Sequence, residues 1–175
     1  MSKLRLATIW LDGCSGCHMS LLDLDEGILA LAKQADLVYS PLVDATEFPE
    51  GVDVTLVEGA VSSQEDAARL RTVRARSRVV AALGDCAVTG NVPSMRNSIP
   101  VARILQRIYI EGADVSRVIP SAGVPPLLPQ ARPPHEFIKV DVHLPGCPPQ
   151  PKAILALLDD LLHGRIAKPT EIKFG

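Results

Sequence analysis

The residues able to do chemistry are four cysteines, Cys14, Cys17, Cys86 and Cys147. Cys14 and Cys17 form a C-x2-C pair. A further 68 residues separate Cys17 from Cys86, and 60 more separate Cys86 from Cys147, which opens a Cys-Pro-Pro run. The opening Leu4–Trp10 run is short, Asp12 interrupts it, and no small-residue cleavage site follows, so it reads as a first strand and not as an export signal. Disulfides are then the weaker reading of the cysteines, and metal binding or redox chemistry the stronger. A structural zinc site ordinarily takes two close pairs, each knuckle supplying two ligands, and only one pair is present. Four thiolates also suit a cubane [4Fe–4S] cluster, whose irons each need one external ligand and whose width lets ligands arrive from separate loops. A CxxC after a first strand is the spacing of a thiol redox motif too, although that use leaves Cys86 and Cys147 without a part. Gly13, Gly16, Gly84 and Gly146 flank the cysteines, where they would let backbone N–H groups approach sulfides or serve tight turns alone.

Other candidates have plainer readings. Glu58 stands where a carboxylate could move protons, orient a partner or simply end a strand. His18 abuts Cys17 and reads as a helix-start residue, not a ligand, since four thiolates are already available. His163, near a helix end, offsets the macrodipole. The five arginines from Arg69 to Arg78 read as a solvated face or a docking patch.

The elements that must position these residues alternate strand and helix. Leu4–Trp10, Leu37–Ser40, Val52–Val57, Arg78–Leu83 and Phe137–Leu144 read as strands. The continuous apolar run Val79–Leu83 suits a parallel strand covered on both faces. Leu21, Leu24, Ile28 and Leu31, widened by Leu22 and Leu29, mark one helix. Ser62 and Glu65 have capping-box spacing for a second, reaching about Arg76. Val101, Ile104, Leu105 and Ile108 mark a third, which Gly112 can end. Pro151 suits the first turn of a closing helix with Ile154, Leu157, Leu158 and Leu161 inward and Gly164 at its end. Such alternation predicts an α/β fold, a flavodoxin-like three-layer sandwich with a parallel sheet and helices on both faces. Ligands of open α/β sheets bind at the carboxyl ends of the strands, and all four cysteines fall there, with Glu58-Gly59 at the same edge.

The chain of 175 residues is 47% hydrophobic and 22% charged, which excludes a disordered polyelectrolyte. Eighteen Lys and Arg against 20 Asp and Glu leave a net charge of -2, with no basic excess for a nucleic-acid backbone. No apolar stretch approaches the roughly 18 residues of a membrane span. Residues 1–175 are therefore expected to form one domain, with Asp114–Glu136, which holds six prolines, as a long irregular segment covering a site or a partner.

At the cysteines the chain resembles a known family. Trp10-Leu-Asp-Gly-Cys14-Ser-Gly-Cys17-His-Met-Ser-Leu-Leu-Asp23 is similar to the first cluster motif of nickel–iron hydrogenase small subunits. Val57-Glu-Gly-Ala-Val61, Ala82-Leu-Gly-Asp-Cys86-Ala and Leu144-Pro-Gly-Cys147-Pro-Pro-Gln-Pro151 resemble the next three motifs in the same order. The resemblance runs from about Leu4 to Arg165. It implies one proximal [4Fe–4S] cluster held by Cys14, Cys17, Cys86 and Cys147, next to a nickel–iron site in a separate large subunit. Periplasmic members carry further cluster ligands and a twin-arginine leader, and neither is found in this sequence, which points to a single cluster and the cytoplasm. The short form is most like the small subunit of NAD-reducing, bidirectional hydrogenases, whose iron–sulfur and flavin diaphorase partners carry FMN and reduce NAD. The implied role is electron transfer, with no bond chemistry on this chain. Energy-converting membrane hydrogenases also have short small subunits. The related complex I quinone-reductase subunit typically has two adjacent cysteines in the first motif, whereas Ser15 and Gly16 separate them here.

Overall fold

The computed structural model describes residues 3–165. The first half runs β1 (Leu4–Trp10), α1 (Gly16–Leu22), α2 (Gly27–Gln34), β2 (Ala35–Tyr39), β3 (Val52–Glu58), β4 (Val61–Ser63) and α3 (Gln64–Arg76). The second half runs β5 (Ser77–Leu83), α4 (Asp85–Thr89), α5 (Asn91–Ser94), α6 (Val101–Gln106), β6 (Leu127–Arg132), β7 (Val142–Leu144) and α7 (Pro151–Leu162). Five strands form a parallel sheet in the order β2-β1-β3-β5-β7. Counted within that sheet alone, this is the flavodoxin-like order 2-1-3-4-5 expected from the alternation. Among the described residues no helix is long and apolar enough to cross a membrane.

The sheet separates two cores. On one face Leu6, Val54, Leu56, Ala81 and Leu83 meet Cys17 and Leu21 of α1 and Ile154, Leu157, Leu158 and Leu161 of α7. On the other, Ala7, Ile9, Val57 and Val80 meet Ala67, Leu70 and Val73 of α3. Pro151 sits in the first turn of α7 and Gly164 follows its end with φ +71°, as the sequence pattern predicts. Each fully buried leucine or isoleucine of α7 contributes about 1.5–3 kcal/mol through the apolar area it removes from water.

Four expectations need correction. The helix expected from Leu21 to Leu31 is two helices, α1 and α2, separated by a turn in which Asp25 has φ +50°. Bonds from Leu24 N–H to the Leu21 carbonyl and from Gly27 N–H to the Leu24 carbonyl keep the three-residue spacing through the break, so the apolar periodicity survives it. The cap of α3 is Ser63 with Asp66, one residue later than Ser62 with Glu65. The final strand is confined to Val142–Leu144, because Asp141 spends its side chain on Val80 N–H (2.9 Å) and Arg74 (2.6 Å). Asp114–Glu136 is not irregular throughout, since β6 pairs antiparallel with β4 and a 3-10 turn covers Pro134–Glu136. The helix marked by Val101 to Ile108 is present as expected, passing into a π turn over Arg107–Glu111 that ends at Gly112, and it fully buries none of its residues.

Candidate metal centre

The carboxyl end of β1 leads through Cys14 into α1, whose second residue is Cys17. The end of β5 leads through Gly84 into α4, whose second residue is Cys86, and the end of β7 leads to Cys147. All four are free thiols: Cys17 is buried, Cys86 half-buried, and Cys14 and Cys147 exposed. Strand parallelism thus delivers three distant segments to one rim. The contacts show the convergence: a Cβ on Gly84, in the segment that leads to Cys86, would meet the Cys17 sulfur, and Gly84 N–H bonds the carbonyl of Leu144, at the end of the strand that leads to Cys147, at 2.8 Å.

The loops are tied to one another. Asp12 and Ala60 exchange backbone hydrogen bonds of 3.0 and 2.7 Å, joining the Cys14 loop to the loop after β3. Ser20 donates its hydroxyl to the Pro149 carbonyl at 2.5 Å, joining α1 to the Cys147 loop. Asp85 accepts Gly146 N–H on its carboxylate at 2.7 Å and donates its own N–H to the Gly146 carbonyl at 2.9 Å, joining the Cys86 and Cys147 loops. The indole N–H of Trp10 reaches the Gly13 carbonyl at 3.1 Å and braces the Cys14 turn.

Glu58 has a role that local sequence does not reveal. Ser15 makes no side-chain cap on α1, so the helix begins with orphan N–H groups. Glu58, 2% exposed at the end of β3, accepts the N–H of Cys17 at 3.3 Å and that of His18 at 3.0 Å. Its carboxylate also bonds the Nδ1 of His18, whose Nε2 pairs with Thr8 Oγ1 at 2.9 Å, and Thr8 donates to Ser40 at 2.9 Å. A carboxylate at a helix start is favoured by the dipole as well as by the bonds. Glu58 therefore caps the cysteine-bearing helix from 40 residues away, and His18 is a buried link in a polar chain across the sheet.

Gly84 provides the room. It has φ +82° and ψ 163°, and a Cβ built on it would collide with the sulfur of Cys17. Burial pushes the Cys17 thiol far above the ordinary cysteine range, and the Glu58 carboxylate and the other thiolates push the same way. Burial also raises Cys86, against a hydrogen bond from Val92 N–H. Metal binding at such thiols must release protons. Four of the five arginines expected on a solvated face are engaged instead, in pairs with Glu65, Asp141, Glu50 and Asp53.

Of the site residues, the cysteines and the rim were legible from spacing and element order. Asp85 adjoins Cys86 and had that local signal. The cap by Glu58 had none.

A rim of cysteines on a flavodoxin-like sheet defines the class, and comparison with known proteins gives the family. Residues 14–161 match the family described as NADH ubiquinone oxidoreductase, 20 Kd subunit, and the chain belongs to it. Relatives bear out the hydrogenase resemblance. The chain is 39% identical over 168 residues to NAD-reducing hydrogenase HoxS subunit delta of Cupriavidus necator, covering 93% of this chain and 80% of that protein. It is 40% identical over 171 residues to a protein of the F420-non-reducing hydrogenase vhu of Methanocaldococcus jannaschii, covering 96% of this chain. That relative is longer, and the chain spans 59% of its length. A chain of an NAD+-reducing [NiFe]-hydrogenase, solved in the H2-reduced state, superposes with a TM-score of 0.90 at 40% identity, covering 98% of this chain and 97% of that one.

Proposed function

We propose that Cys14, Cys17, Cys86 and Cys147 hold one [4Fe–4S] cluster, and that the chain is the electron-transfer small subunit of a cytoplasmic NAD-reducing nickel–iron hydrogenase. The observation that carries this reading is the gathering of four thiols at one sheet rim, in a chain 40% identical to one from a solved NAD+-reducing [NiFe]-hydrogenase.

The residues fit the group. Thiolates are the donors that iron–sulfur clusters take. Gly84 clears the wall beside Cys17, and Asp85 and Glu58 hold the loops that present Cys86, Cys147 and Cys17. A cluster bound there supplies a one-electron carrier.

The partners are a large subunit carrying the nickel–iron site and a diaphorase pair with FMN and NAD. Uncovered apolar side chains support a docked subunit: Met19 and Leu22 on α1, which carries Cys17, Val92 and Met95 around α5, and Val115 and Val118 in the proline-rich segment. Hydrogen-exchange protection across Asp114–Glu136 should rise on assembly. In the intact complex, Cys17→Ala should interrupt hydrogen-driven NAD reduction while NADH oxidation by an artificial dye continues. Hydrogen-dependent NAD reduction by an intact complex lacking this cluster would overturn the relay.

A further inference from the structure

The segment just after α4 reaches one of the four thiols with a hydrogen-bond donor. The side-chain amide of Asn91 points its Nδ2 at the sulfur of Cys147, 3.7 Å away. Among the described residues this is the only side-chain hydrogen bond to any of the four sulfurs. A thiolate accepts and does not donate, so the N–H end of the amide is the end that can face it.

The backbone is arranged to hold that donor. Asn91 has φ +27°, a conformation asparagine tolerates better than most residues. Ser94 donates its hydroxyl to the Asn91 carbonyl at 2.7 Å and its N–H to the Gly90 carbonyl at 3.0 Å. Asn91 is therefore pinned from behind, with its amide free to turn toward Cys147. It lies on α5, whereas Cys147 follows β7, 56 residues later.

We propose that Asn91 is a positioning residue that raises the reduction potential of the cluster through its hydrogen bond to Cys147. This rests on the four cysteines being the cluster ligands. One-electron reduction adds negative charge that spreads onto the ligand sulfurs, so an N–H donor there is bound more strongly in the reduced state and favours it. Hydrogen bonds to the sulfurs are among the determinants of cluster potential, and partners of the ligands tune metal sites generally. The electron accepted on reduction is returned on oxidation, and no proton or bond is exchanged at Asn91.

The test is an EPR-monitored redox titration of the assembled complex, following the signal that disappears in Cys86→Ala. Asn91→Gly removes the donor without straining the positive φ. Asn91→Asp keeps the shape and replaces the donor by a negative acceptor. Asn91→Gly should shift the reduction equilibrium toward the oxidised state about tenfold, about 59 mV for one electron. Asn91→Asp should shift it the same way by at least as much. Unchanged or raised potentials with the cluster fully present would overturn the inference and leave the ligand assignment standing. A wild-type complex with no signal dependent on Cys86 would overturn the ligand assignment itself. If only Asn91→Gly loses the cluster, Asn91→Asp decides. Loss from both would make Asn91 a loop-holding residue and refute the tuning.

Discussion

Gly84→Ala tests whether the rim is shaped for Cys17. The glycine's φ of +82° and ψ of 163° lie in a region that is essentially closed to other residues, at a cost of about 1–3 kcal/mol. The added methyl would also meet the Cys17 sulfur, and overpacking of this kind costs about 1–3 kcal/mol. Reduced freedom of the unfolded chain returns about 0.4–1 kcal/mol. The net loss is then about 1–5 kcal/mol, with the sulfur forced off its position. Gly123→Ala is the control, because Gly123 has φ +74° but nothing within 4 Å of a built Cβ. It should lose only the conformational part, about 1 kcal/mol. Denaturant unfolding measures the stabilities, and iron per chain after anaerobic purification reports the site. Gly84→Ala should lose iron while Gly123→Ala keeps it. Wild-type iron content in Gly84→Ala, with a stability loss no larger than that of Gly123→Ala, would refute the packing argument.

Glu58→Gln should destabilise the chain by about 1–3 kcal/mol, because an amide N–H end would face the N–H groups of α1 that the carboxylate now accepts. Thermal unfolding at neutral pH measures this, and an unchanged midpoint would remove Glu58 as the cap. Asp141→Asn should cost about 2 kcal/mol by loosening the bonds to Val80, Arg74 and Lys139. Burial alone would raise Asp141, but those three bonds outweigh it and hold its pKa below the ordinary 3.8. A depressed carboxylate contributes stability above its unfolded value and loses it as pH falls through the folded one. The gap between wild type and Asp141→Asn should therefore be full at neutral pH and narrow below the ordinary carboxylate range; a gap that widens on acidification would contradict the assignment.

How much of this was legible follows from how local each feature is. The β-branched and aliphatic runs of β1, β3 and β5 announce a covered parallel sheet, and the spacing of Ile154, Leu157, Leu158 and Leu161 marks the face α7 buries. Once the sheet is parallel, the cysteines fall at its carboxyl rim by topology. The β6 strand was hidden because it contains Pro129, which an edge strand of a two-stranded ribbon tolerates and a central strand would not. The cap of α3 slipped by one because two serines stand together, and only the structure shows that Ser62 bonds Asp12 while Ser63 caps. The apolar face of Val101–Ile108 was legible as helical but gave no sign that Val101, Ile104 and Leu105 would be only half-buried and Ile108 exposed. Glu58 and Asn91 act across 40 and 56 residues of sequence, beyond any periodicity or short motif, and Asp85, although its place beside Cys86 marked it, bonds a partner 61 residues away.

The central claim is that four thiols at one rim hold a cubane cluster. Iron and acid-labile sulfide, measured on the anaerobically purified protein together with its visible absorbance, test it most directly. About four irons and about four sulfides per chain are expected, with a brown sulfur-to-iron band, and both should be lost in Cys86→Ala and Cys147→Ala. Tightly bound zinc without labile sulfide would contradict it.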